Sequence, residues 1–204
     1  MIKIESIETF ILSLAAIITA IGILIKAIKT TAKEADLPRK IRKQVDIDDL
    51  IISKMEEIKE QLNADRVQVY DFHNGGHYAN GRSALKTSCS YEVVRSGISR
   101  KQNFLQSIPL SCLSRFVSTL MNDGFLEVKN LEDMKEEMPA TYQLKKDMKI
   151  NSFYDVILNN SMGEPVGFLA VQFVKNKYNV LTEHDKDVVL NLKELIEEEL
   201  EKVR

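Results

Sequence analysis

Two of the chain's three histidines, His73 and His77, stand four residues apart in FHNGGHY (72–78), around Asn74 and a Gly-Gly pair. Histidines at i and i+4 share a helix face and can hold a metal there. Gly75 and Gly76 argue against a helix, and no third ligand falls at a telling spacing, so the sequence assigns no metal ligand. The other reactive side chains are Cys89 and Cys112. Thiol redox chemistry needs an activated thiolate and a resolving thiol. Both cysteines sit in apolar or small-residue stretches, where Cys packs as a small hydrophobe. No Ser/His/Asp order, phosphate loop or paired-carboxylate site emerges, so no catalytic residue and no cofactor is assigned. The chemistry left is recognition. His73, Asn74, Tyr78 and Arg82 from one loop, with Tyr91 and Tyr154 from strands, are candidate pocket liners. They offer hydrogen bonds, a stacking ring and a cation for an anionic group. The same residues also read as solvated loop positions over a filled core, and the sequence leaves both readings open.

The elements that must position them follow from periodicity. VDIDDLIISKMEEIKEQLNADR is helical, with Ile51, Met55, Ile58 and Leu62 on one stripe. RVQVYDF (66–72) alternates as a strand, with Val67 and Val69 on one face and Arg66, Gln68, Tyr70 and Phe72 on the other. Residues 73–87 read as a loop from their Asn-Gly, Gly-Gly and Asn-Gly pairs. SCSYEVV (88–94) is a second strand. Residues 104–122 read as helical after Pro109, FLEVKN (125–130) as a short strand, and 138–150 as a short helix. SFYDVILNN and VGFLAVQFV form a hairpin around SMGEP. The last helix, 181–204, opens on a capping box of Thr182 and Asp185 and carries Val189, Leu192, Ile196, Leu200 and Val203 on one stripe. This order predicts an α+β domain, an antiparallel sheet covered by its first and last helices.

Ahead of it, residues 9–25 (TFILSLAAIITAIGILI) carry no charge. At ~1.5 Å per residue they span roughly 25 Å, and Ala27 and Ile28 extend the run if Lys26 snorkels. The sequence therefore predicts a short tail (1–8), a single transmembrane helix (9–28), a basic juxtamembrane linker (29–45) with a helix break at Pro38, and a domain over 46–204. Residues 26–43 hold seven basic and two acidic residues, +5, so the remainder of a chain of net charge −2 sums to −7. An acidic globular part offers no broad basic face, which excludes nucleic acid as a partner. The basic flank places the N-terminus outside and the domain in the cytoplasm.

VGFLAVQF resembles a strand of the GAF family of sensory domains, in which a Gly opens a hydrophobic run. NKYNVLTEHDK is similar to that family's Asn-Lys…Phe-x-x-x-Asp-Glu signature. Asn176, Lys177 and Asp185 match it; Leu181 replaces the Phe and Lys186 the Glu. The resemblance covers about residues 45–204. It implies a GAF-like central antiparallel sheet and a structural clamp of Asn176, Lys177 and Asp185, while the two departures leave the family's cyclic-nucleotide ligand behind. The run DRVQVYDFHNG…SCSYEVVRSGIS…LQSIPLS also resembles membrane-anchored GAF-like proteins of bacteriophages. The expected function is a membrane-anchored sensory or ligand-binding module, non-catalytic and homodimeric, taking a small molecule or nucleotide. Two alternatives share the layout: a holin-like lysis protein with its domain outside the membrane, and a scaffold that only oligomerises.

Overall fold

The computed structural model describes residues 4–175 and 181–202; the side chains of 4–13, 16 and 27–35 are outside that description. The chain divides into two compact units, Met1–Asp46 and Ile47–Arg204. Helix α1 (Ile4–Gln61) contributes to both. In the first unit α1 runs through Pro38, where the sequence predicted a break. Proline removes one i→i−4 bond and crowds one carbonyl, at a cost of about 3 kcal/mol. Here that loss is one rung in a 58-residue helix. Residues 29–45, expected as a basic juxtamembrane linker, are helical. Among the described residues no helix is long and apolar enough to cross a membrane. The expected span, 9–28, falls partly outside them, since side chains 9–13, 16, 27 and 28 are not described.

The second unit is built on a six-stranded antiparallel sheet in the order β3-β2-β1-β6-β5-β4. Its strands are β1 (Arg66–His77), β2 (Ser83–Val94), β3 (Ile108–Pro109), β4 (Phe125–Val128), β5 (Ser152–Asn159) and β6 (Pro165–Phe173). Helices α2 (Ser114–Asp123), α3 (Pro139–Asp147) and α4 (Glu183–Glu201) complete it. Because side chains alternate along a strand, the sheet carries two cores. On one face Val67, Val69, Val156 and Leu169 pack with the α1 stripe Ile51, Met55 and Ile58 and the α4 stripe Val189, Leu192 and Ile196. On the other, Tyr70, Cys89, Phe153 and Phe168 pack with Phe116, Leu120 and Tyr142 from α2 and α3. Each fully buried large apolar side chain contributes about 1.5–3 kcal/mol, so both stripes are necessary to the fold. The expected capping box is present, Thr182 and Asp185 each bonding the other's backbone N–H. Val203 lies outside the described residues.

Two expected elements are different in the structure. The stretch 73–87 is not a loop: β1 continues to His77 and β2 begins at Ser83, with His73 opposite Lys86 and Asn74 opposite Leu85. Gly75-Gly76 is absorbed as a register shift between Asn74 and His77, with Gly76 at φ 103° and its N–H donated to Asn74 Oδ1. The chain reverses later, at Tyr78–Arg82. Cross-strand pairing thus overrides local turn propensity. The helix expected after Pro109 is a 3-10 turn at Leu110–Leu113 and α-helical only from Ser114, and ahead of it Ile108–Pro109 bridges to β2. Ser107 turns the chain there at φ 57°. Close approach also dictates one residue: a Cβ on Gly167 would stand 1.9 Å from the Tyr70 carbonyl oxygen.

Candidate functional site

The α2/α3 face of the sheet carries polar side chains where a core ordinarily has none. Alternation along β1 puts Arg66, Gln68 and Tyr70 on this face. The registers then set Arg66 beside Gln172 of β6 and Gln68 beside Glu92 of β2. Arg66, Gln68, Glu92 and Gln172 are all buried. Their groups interlock: Arg66 Nη1 donates to Gln172 Oε1 (3.1 Å), Gln172 Nε2 to Gln68 Oε1 (2.8 Å), and Gln68 Nε2 to Glu92 Oε1 (2.8 Å). The Tyr70 hydroxyl also donates to Gln68 Oε1, at 2.9 Å. Burial pushes the Arg66 guanidinium below its ordinary value, with Glu92 at 3.3 Å opposing that shift. The network reaches outward to a strap, residues 95–107, over β2. Glu92 accepts the backbone N–H groups of Lys101 and Gln102, and Arg66 Nη2 donates to the Ser99 carbonyl. The bonds of this buried network favour one geometry, although Arg66 Nε, 3.3 Å from Glu92, makes no hydrogen bond.

A second buried pair joins α3 to β5. Lys145 Nζ donates to Asp155 Oδ2 at 2.5 Å, with side chains 6% and 0% exposed. The ammonium lies 4.0 Å from the Phe153 ring centroid. Burial lowers the Lys145 amine and raises the Asp155 carboxyl to about 6, each partner's charge opposing the shift of the other. The space beside the pair, bounded by Tyr70, Phe116, Leu144 and Phe168, is about 10 Å³. That is room for about one water.

A more open site lies where the β1–β2 ribbon meets α2. A cleft of about 630 Å³ is lined by Tyr78, Arg82, Ser83 and Leu85 of the ribbon, Leu110 and Ser111, and Ser114, Val117, Ser118, Met121 and Asn122 of α2. The Tyr78–Arg82 turn is closed by Tyr78 N–H to the Arg82 carbonyl, with Asn80 Oδ1 accepting from Arg82 N–H and Gly81 at φ 81°. The Arg82 guanidinium stacks 4.9 Å above the Tyr78 ring. The cleft therefore joins one cation and several hydroxyls to an apolar floor, with no carboxylate in its lining.

Of the six residues read from the sequence as pocket liners, the structure brings only Tyr78 and Arg82 into this cleft. His73 Nε2 meets Ser88 Oγ at 2.9 Å, and Asn74 is occupied at Gly76. Tyr91 donates its hydroxyl to Asp48 of α1 (2.6 Å), and Tyr154 is buried in the same α1/α4 core. Both tyrosines belong to the opposite face of the sheet because they fall on the other parity of their strands. Of the expected clamp, Asn176 and Lys177 lie outside the described residues. The Asp185 carboxylate accepts from the Thr182 N–H and hydroxyl (2.8 and 2.7 Å), a helix cap. Both cysteines are free. Burial pushes the Cys89 thiol far up, which removes the thiolate that redox chemistry needs. Sequence reasoning missed Glu92, Lys145, Asp155 and Gln172. The signal available was a charged or amide side chain inside an otherwise apolar strand, as in SFYDVILN and VGFLAVQF.

No family model and no curated protein matches the sequence. Solved structures do. The photoproduct state of a GAF domain from Synechocystis sp. PCC6803 superposes with a TM-score of 0.59 at 12% identity, over 76% of this chain and 94% of that one. The blue-light absorbing form of the Thermosynechococcus elongatus PixJ GAF domain gives 0.58 at 14%, over 76% and 88%. The phycocyanobilin-bound GAF domain of a cyanobacterial phytochrome gives 0.59 at 14%, over 83% and 94%. At these identities the likeness concerns the fold, which is GAF-like.

Proposed function

We propose that this GAF-like chain is a non-catalytic, membrane-anchored, homodimeric module that senses or sequesters a small amphipathic anion from the cytoplasm. The observation that carries the ligand reading is the Tyr78–Arg82 cleft. Its apolar floor would take the body of such a molecule. The Arg82 guanidinium, already stacked on Tyr78, would pair with a carboxylate or phosphate, and the serine hydroxyls would orient it. The space beside the Lys145–Asp155 pair has room for about one water, which favours the outer cleft for the ligand. The ligand-bound GAF neighbour supports a binding use of this fold. For the anchor, the support is that Leu14, Ile17, Ile18, Ile21, Ile23, Leu24 and Ile25 are all exposed, from 48 to 65%. A helix apolar on all sides needs a non-aqueous surrounding. The basic flank supports the cytoplasmic placement.

The test is a thermal-shift panel of nucleotides and aromatic acids on the full chain, run beside Arg82→Ala. A ligand at 100 times its Kd should stabilise by about 2.7 kcal/mol, and Arg82→Ala should abolish the shift without lowering the unliganded Tm. A shift that survives in the variant would move the ligand elsewhere. Reporter fusions after Arg204 test the orientation, and activity of a reporter that works only outside the cytoplasm would reverse it.

A further inference from the structure

Phe104 is the most exposed large apolar side chain among the described residues, at 82%. It does not swing on a loose loop. It ends the single 3-10 turn Gln102–Phe104 of the strap, whose start is pinned by Glu92. Side-chain amides of Gln102 and Gln106 donate to the carbonyls of Ser90 and Cys89, tying the strap along β2. The ring is thus held in water by a bonded backbone.

Its surroundings are cationic. RSGISRKQNF (95–104) contains three cations and no carboxylate. Arg100 is exposed and Lys101 Nζ lies 6.0 Å from the Phe104 ring centroid. From the end of β6, Lys175 Nζ donates to the Gly97 carbonyl. The carboxylates that touch the strap, Asp65 and Glu92, are buried and accept backbone N–H groups. Met162, at the β5–β6 turn, is nearly as exposed at 77%, but its turn is bonded to Glu164 and Glu201.

We propose that the strap is a second membrane contact, in which Phe104 enters the interfacial layer of a bilayer and Arg100, Lys101 and Lys175 meet its anionic headgroups. A lone projecting ring with cations around it suits an interface that takes aromatic side chains into its acyl boundary and attracts Lys and Arg electrostatically. A protein partner would call for a broader face, about 800 Å² on each side. The contact rests on the tethered reading in one respect: an anchor keeps the strap at high effective concentration near the bilayer.

The chain has no tryptophan, so Phe104→Trp installs a single indole at an exposed position. The full-chain variant is reconstituted into phosphatidylcholine vesicles with and without phosphatidylserine, with brominated acyl chains as quenchers. The expected result is blue-shifted, quenched emission in the phosphatidylserine vesicles. It should weaken roughly fivefold in partitioning for each cation lost, disappear in Arg100→Glu/Lys101→Glu, and fade as salt rises. Met162→Trp should stay unquenched. Trp emission at position 104 that remains that of an indole in water, while the protein floats with the vesicles, overturns the proposal. Failure to float with phosphatidylcholine alone refutes the anchor instead, and the strap is then read from the same indole on added phosphatidylserine vesicles.

Discussion

Removing one member of the Lys145–Asp155 pair should cost far more than removing both. In Lys145→Met, Asp155 Oδ2 loses its 2.5 Å donor. Oδ1 already has no hydrogen-bond partner, and the residue is 0% exposed. The carboxyl would then be a buried acid with neither oxygen bonded. In Asp155→Leu the ammonium would remain with only the faces of Phe153 and Phe116, at 4.0 and 5.5 Å. Breaking a buried pair from one side costs about 3–5 kcal/mol, whereas replacing both by packed apolar groups is neutral or stabilising by about 1–4 kcal/mol. For a domain of this size each kcal/mol moves Tm by about 2–4 °C. The single variants should therefore melt about 6–20 °C lower, and Lys145→Met/Asp155→Leu near or above the parent. Urea unfolding of the four proteins, fitted with one m value, closes the cycle. Single-variant costs below about 1 kcal/mol, or a double variant as unstable as the two singles summed, would refute the claim that these charges stabilise only each other.

The same pair sets a pH dependence. Burial raises the Asp155 carboxyl from 3.8 to about 6, so the folded state holds this proton more tightly than the unfolded one. The stability it contributes is fully present below about pH 4 and is lost as pH rises through 6, a change on the order of 3 kcal/mol. Asp155→Asn should flatten that part of the stability–pH curve, as read by urea midpoints from pH 4 to 7. At the β1–β6 junction, Gly167→Ala would drive a methyl into the Tyr70 carbonyl. Two paired backbones cannot both yield, so the loss should reach about 3 kcal/mol, seen as a lowered urea midpoint. An unchanged midpoint would mean that the strands separate freely there.

Much of the second unit was readable from residue order because burial imposes simple periods. The stripe Ile51-Met55-Ile58-Leu62, the alternation of Val67 and Val69, the SMGEP hairpin and the Thr182–Asp185 cap are local patterns, and each stands in the structure as read. The α+β antiparallel sheet followed from their order, and its GAF-like form from the resemblance carried by VGFLAVQF and NKYNVLTEHDK. Three other readings were decided by structure beyond the local residue pattern. Asn-Gly and Gly-Gly pairs mark turns by themselves, yet pairing with residues 83–88 draws 73–77 into a strand. Proline breaks a helix by itself, yet the ladder on either side of Pro38 continues. Tyr91 and Tyr154 looked like pocket liners until strand parity assigned them to the other core.

What the sequence alone determined is which residues are apolar, at which spacing, and therefore which elements form and which faces they bury. Only the tertiary structure decided where polar groups meet. Arg66 lies 26 residues from Glu92 and 106 from Gln172, and Lys145 reaches Asp155 only because α3 folds back on β5. A buried charge is tolerable only where its partner arrives in the same place, and that coincidence is set by strand register and helix docking, which no local pattern encodes.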